Sequence, residues 1–118
     1  MKSYREFSAI YLHRDPIDMR KGLNGLLAHV QSAQMGVIKA NSVFVFCGRR
    51  KNSIKAVYFD HSGFCLWMKR LELDRFKWPK ADSQGVVHLS ADQFGYLLSG
   101  FDLSAMKPFK KVDFERIF

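Results

Sequence analysis

The sequence predicts an α+β fold: a single small domain, mainly antiparallel β-hairpins, with an N-terminal helix and a C-terminal capped helix. Three observations predict it. Three β-branched or aromatic runs crowd between residues 42 and 70, separated only by the short polar segments RRKNS and HSG. Ahead of them, apolar residues recur at helical spacing. Behind them, S-A-D-Q at residues 90–93 has the form of a reciprocal helix cap.

Taken in order, residues 7–13 (FSAIYLH) read as a short strand. Asp15-Pro16 then reads as a helix start, with Asp15 as N-cap, Pro16 at the first helical position and Asp18 in the first turn. Met19, Leu23, Leu26, Leu27 and Val30 supply one helical face. Gly22 and Gly25 weaken that helix by roughly 1 kcal/mol each relative to alanine, and they let another backbone approach. A loop is expected from Met35 to Asn41. Strands follow at 42–48, 55–60 and 64–70, and RFKWP (75–79) adds a short one that Pro79 ends. Their continuous apolar character predicts cover on both faces, so either the sheet curls or a second chain packs on it. A polar loop, KADSQG, precedes the VVHLS strand. Ser90 and Gln93 then cap a helix whose buried face is Phe94, Leu97 and Leu98, stopped at Gly100. Residues 1–103 are expected to form the domain. Residues 104–118 form a basic and aromatic tail, with Lys107, Lys110 and Lys111 among Phe109, Phe114, Ile117 and Phe118.

The chain of 118 residues fits one domain, and 47% apolar with 25% charged residues is the balance of a folded globule. No apolar run approaches the ~20 residues of a membrane-spanning helix, so no membrane partner is expected. The N-terminal MKSYREFSAIYLHRD has no apolar core and no small-residue cleavage site, which predicts no secretory signal. Cys47 and Cys65 both sit inside apolar runs, where a reduced thiol behaves as a small hydrophobe, so a reducing, cytoplasmic setting is expected.

The formal charge is +8, which favours anionic partners. Most of it lies in residues 49–80, where Arg49, Arg50, Lys51, Lys55, Lys69, Arg70, Arg75, Lys77 and Lys80 face only Asp60, Glu72 and Asp74. Arginine forks match phosphate geometry, and the first eight of these cations are the candidate nucleic-acid contacts. Arg49-Arg50-Lys51 is the strongest, because three adjacent cations at a hairpin tip repel one another unless an anion sits there. The interleaved Tyr58, Trp67, Phe76 and Trp78 could stack on bases but are expected in the core.

Other chemistry is weakly represented. Gly22-Leu23-Asn24-Gly25 is a GxxG, yet the helix that should precede it in a KH module is missing. His13, His29, His61 and His88 are scattered, and neither cysteine has a zinc-type neighbour. Asp60, Glu72, Asp74 and Asp82 show no magnesium-site spacing, and Asp60-His61 reads as a turn. There is no phosphate-binding or nucleophile-elbow motif. The expectation is a protein that is not an enzyme and takes no cofactor and no metal.

Three stretches carry a resemblance. DPIDMRKGLNGL, VFVFCGRRKNSIKAVYFDHSGFCLWMKRLELDRFKWP and LSADQFGYLLSGFD, in that order, resemble the accessory proteins called TnpB, or second-open-reading-frame (Orf2-like) proteins, of the sixty-six group of bacterial insertion sequences. These are distinct from the RNA-guided nucleases that share the name TnpB. The matching positions are Asp18 to Gly22, then Gly48, Arg49, Arg50, Lys55, Asp60, Gly63 and Phe64, then Lys69 to Glu72, Phe76, Trp78 and Pro79. Cys47, Ala56 and Asp74 depart from the pattern. The resemblance implies a transposition accessory protein encoded beside a larger transposase that holds the catalytic residues. DNA and that transposase are the expected partners, through the basic 49–80 surface. The rival expectation is an adaptor that meets an acidic patch of the transposase without touching DNA. A homo-oligomer is also expected, from the apolar strands that need cover.

Overall fold

In a computed structural model, residues 1, 3–32, 41–80 and 85–105 are described. The expected loops at 35–41 and 80–85 lie mostly outside these residues, as do Asp82 and nearly all of the tail. Five strands form one sheet: β1 (Ala9–His13), β2 (Ser42–Cys47), β3 (Ser53–Asp60), β4 (Gly63–Arg70) and β5 (Val86–Leu89). Two helices accompany them, α1 (Leu23–Ser32) and α2 (Ala91–Leu98), with single 3-10 turns at Tyr4–Glu6 and Leu103–Ala105. The strand order is β4-β3-β2-β1-β5. β1 and β2 pair in parallel across the α1 connection, and the other pairs are antiparallel. The fold is α+β, as the sequence predicts, with one parallel pair inside a mostly antiparallel sheet.

Strand alternation sorts the apolar side chains onto two faces. Ile10, Leu12, Val43, Val45, Ile54 and Ala56 pack on one face, beneath Phe94 and Leu97 of α2. Phe44, Phe46 and Val57 pack on the other, beneath Leu26 and Val30 of α1. The central strands β2 and β3 are therefore buried on both sides, which is why they read as unbroken apolar runs. The helices divide between the faces, so the sheet core needs no second chain to cover it. The cover runs out at β4. There burial alternates, and Phe64, Leu66 and Met68 stay 40%, 39% and 50% exposed.

The α2 start follows the sequence closely. Ser90 Oγ accepts from the Gln93 N–H (3.1 Å), and Gln93 Oε1 accepts from the Ser90 N–H (2.9 Å). Gly100 ends the element at a φ of 96°, the left-handed region. Gly95 admits the first 3-10 turn, because a Cβ there would lie 2.8 Å from Tyr4 Oη.

The other helix start is a correction. α1 begins at Leu23, eight residues after Asp15, because the intervening backbone is already engaged elsewhere. The Ile17 N–H donates to Cys47 O (3.0 Å), which prolongs the β1–β2 pairing as a bridge to Gly48. Asp18 Oδ1 accepts from the Arg20 N–H (2.9 Å), the local turn that a short acid offers in place of a helix cap. Met19 accordingly leaves the helical face, which is made by Leu23, Leu26, Leu27 and Val30. The GxxG glycines lie at the start of α1 and not in a clamping loop.

The second correction concerns residues 75–79, which form no strand. Phe76 donates its N–H to Lys51 O (2.7 Å), and Leu71 donates to Asn52 O (2.7 Å). These isolated bonds lead the chain around the β2–β3 turn instead of along a ladder. Phe76 and Trp78 are buried as expected, and Trp78 Nε1 donates to His13 O (3.0 Å). Tyr58 is buried as well, while Trp67 is partly buried against the same core.

Candidate nucleic-acid interface

Three segments meet at one end of the sheet: residues 14–22 after β1, 48–53 turning from β2 into β3, and 70–80 from the end of β4 onward. The 48–53 turn is the hub. It closes on itself through Gly48 N–H to Ser53 O (3.1 Å) and Lys51 N–H to Gly48 O (3.0 Å), with Lys51 at a φ of 60°. The carbonyls of Lys51 and Asn52 then hold the third segment, as described above.

Lys55 holds the first segment. Its side chain is buried, and Nζ donates to Met19 O (2.7 Å) and Lys21 O (2.8 Å). A buried ammonium needs such acceptors, and an irregular backbone needs donors, so each satisfies the other. Gly48 completes the contact. A Cβ there would stand 2.6 Å from Met19 Cγ, so the 17–21 loop can press against the turn only because position 48 has no side chain.

Two grooves flank this hub. The first is an open cavity of about 550 Å³ beneath Asp18, Arg20, Arg49, Arg50 and Arg70. Arg20 is tied to Asp18, with Nη2 at 2.6 Å from Oδ2, and the guanidinium holds that carboxyl well below the usual carboxylate range. Arg70 lies 3.2 Å from Glu72 Oε1. No carboxylate among the described residues pairs with Arg49 or Arg50, and both are exposed. The second groove, about 820 Å³, is floored by Phe76, Trp78, Pro79, Val87 and Leu89. Arg14, Lys51, Arg75, Lys77 and Lys80 stand around it, and Arg14 Nη1 donates to Lys80 O (3.3 Å).

The eight candidate cations thus separate. Arg49, Arg50 and Arg70 share the arginine groove. Lys51, Arg75 and Lys77 line the apolar-floored groove. Lys69 is exposed on β4, one residue before Arg70 and so on the opposite face of the strand. Lys55 is not a surface contact at all, since its ammonium is spent on backbone carbonyls inside the domain. Three cations of the grooves were not among the eight: Lys80, which ends the basic 49–80 stretch, Arg20 and Arg14. Arg20 carried a signal, being part of the DMRKG stretch, whereas Arg14 carried none.

The remaining chemistry is dispersed. Cys47 is buried and free, and burial pushes its thiol up to about 12. His13 and His29, sixteen positions apart in sequence, bring their rings to 5.4 Å, and burial lowers the pKa of His29. Asp60 and Glu72 fall at opposite ends of the β3–β4 hairpin. Among the described residues, no group of three or more His, Cys, Asp or Glu side chains could hold a metal ion. No helix among them is long and apolar enough to cross a membrane.

Fold and site together define a small α+β protein with a cationic sheet end assembled from sequence-distant segments. The chain belongs to the family described as IS66 Orf2-like protein, whose pattern matches residues 8–108. It is similar to two proteins of Sinorhizobium fredii. One is the uncharacterized protein y4jC, 35% identical over 98 residues, covering 83% of either chain. The other is the uncharacterized protein y4hO, 42% identical over 89 residues, covering 72% of this chain and 73% of that one. No solved structure matches the chain. The family associates the chain with insertion sequences and an accessory role in their transposition.

Proposed function

We propose that this protein assists transposition by binding the phosphate backbone of DNA at the 48–53 end of its sheet. It does so in the cytoplasm and without catalysing strand chemistry itself. Arg49 and Arg50 make the primary contacts, with Arg20 and Arg70 beside them and Lys51, Arg75 and Lys77 extending the contact across the turn. One observation carries the reading. The family-like stretches DMRKG, GRR and KRLE, far apart in sequence, converge on one groove whose exposed cations outnumber its acids. Backbone bonds and the buried Lys55 fix the loops beneath those cations, so little side-chain-supporting structure has to be ordered on binding.

A second reading is favoured by the apolar floor of the neighbouring groove. A cationic rim above Phe76, Trp78 and Leu89 also suits an acidic, apolar segment of the element's transposase, which would make the protein an adaptor.

Affinity for duplex DNA against salt separates the two. Replacing Arg49, Arg50 and Lys51 together by alanine alters exposed side chains and leaves the fold within about 0.5 kcal/mol per site. Each lost phosphate contact lowers the slope of log affinity against log salt by about 0.9, so the triple variant flattens it by up to roughly 3. The loss is equal for unrelated sequences, because phosphate contacts position without reading bases. A folded triple variant that keeps wild-type affinity and slope leaves the adaptor reading in its place.

A further inference from the structure

We infer that β4 is a self-association strand, on which a second copy of this chain pairs antiparallel about a two-fold axis at Leu66. β4 is the outermost strand of the sheet, eight residues long and without proline, and among the described residues no strand pairs with its outer edge. Long open edges of this kind are templates for another strand. On the α1 face of the same strand, Phe64, Leu66 and Met68 remain 40%, 39% and 50% exposed, an apolar row that the helix leaves partly open. Edge and row coincide, so one partner strand bringing its own row would satisfy both.

The geometry selects a second copy and a register. The hairpin closes at the Asp60–Gly63 pair with a two-residue turn. From that closure, the alternation of an antiparallel ladder points the N–H and C=O groups of Phe64, Leu66 and Met68 outward. Pairing Leu66 with the second copy's Leu66 sets Phe64 opposite Met68 and Met68 opposite Phe64. Every outward backbone group and every exposed apolar side chain of the row then meets its counterpart. A register shifted by two residues would instead set Arg70 against Phe64.

Charge points the same way. Lys69 and Arg70 end the strand. Parallel pairing would bring these cations together with their copies. The antiparallel register separates the two Lys69 positions by about six residues, roughly 20 Å, well beyond the ~8 Å over which charges interact at physiological salt. It also carries each cationic strand end toward the other copy's Asp60 turn, which is complementary in charge. Such a two-fold contact is self-closing and ends in a dimer rather than a fibre. This inference is independent of the DNA reading.

Sedimentation of the full chain over micromolar concentrations is the test, with the dimer as the expected species. Leu66→Asp buries an unpaired charge at the axis and should raise the dimer dissociation constant at least about 100-fold, with circular dichroism unchanged. Leu73→Lys, at a residue 96% exposed and off the row, should leave the dimer intact. Leu66→Cys in a Cys65→Ala background supplies an independent readout. Opposed residues of an antiparallel pair lie about 5.5 Å apart between Cα atoms, within disulfide range, so mild oxidation should cross-link the two copies. A wild-type monomer throughout the range would overturn the inference. So would a dimer that neither cross-links at residue 66 nor weakens with Leu66→Asp.

Discussion

The two exposed features of this protein, the cationic end of the sheet and the apolar row of β4, share a strand but obey opposite rules. At the cationic end, Arg49 and Arg50 repel any copy of themselves and are stabilised only by an anion. Along β4, Phe64, Leu66 and Met68 favour their own kind. Salt should divide the two. It screens the cationic contacts and releases the advantage of counterion displacement, while apolar burial is insensitive to it or slightly strengthened. The comparison teaches that one small surface can specify two partners, provided that charge and apolar area are kept in separate places.

The cationic end itself contains an inside and an outside, and the largest predicted effect lies on the inside. Lys55→Ala removes the buried ammonium that bonds Met19 O and Lys21 O. Losing two charge-assisted bonds and leaving two carbonyls without that donor should cost roughly 2–4 kcal/mol in chemical denaturation. Arg49→Ala, equal in formal charge, should cost under about 0.5 kcal/mol. Equal losses at the two positions would break the distinction between a structural lysine and a contact arginine.

A smaller effect is expected at Gly48. The added methyl of Gly48→Ala would meet Met19 Cγ at 2.6 Å and push the 17–21 loop off the turn. About 1–3 kcal/mol of stability should be lost, and DNA affinity should fall with it as Arg20 moves away. Met19→Ala in the same chain should restore part of both. A Gly48→Ala protein with unaltered stability would show that the loop does not rest on the turn.

The smallest effect concerns pH. Burial raises the Cys47 thiol to about 12, above its unfolded value, so the folded state prefers the protonated form. The stability this contributes is fully present below the ordinary thiol range and is lost as pH rises from there toward about 12. Cys47→Ala should remove that component of the alkaline destabilisation, measured as the change in denaturation midpoint with pH. An unchanged alkaline profile would place the thiol in a more polar setting than the sheet core.

Local signals in the sequence carried furthest where nothing distant competed with them. Ser90 and Gln93 cap α2 through bonds three residues apart, so the motif alone was sufficient. Asp15-Pro16 has the composition of an equally good start. Its helix is delayed to Leu23 because Cys47 O and Lys55 Nζ, each thirty or more positions from the groups they bond, recruit its backbone. The same distance hid the role of Lys55, which in sequence is one cation among nine and in the fold is a buried strut. Arg49, Arg50 and Arg70 could be singled out from charge density alone. Their meeting with Arg20 depends on the parallel β1–β2 pairing, which no short-range pattern encodes. The uniformly apolar strand runs concealed a difference too. β2 and β3 are covered on both faces, but β4 keeps Phe64, Leu66 and Met68 part-exposed on the α1 face.

The central claim is that exposed arginines at the 48–53 end hold DNA phosphates. Its most direct test is the salt dependence of binding to random duplex DNA by the wild-type protein and by Arg49→Ala/Arg50→Ala. The wild-type affinity should fall steeply, with its logarithm linear in log salt. The double variant should bind more weakly, with a slope shallower by up to roughly 1.8, about 0.9 for each lost contact. A folded double variant whose affinity and slope match the wild type would contradict it.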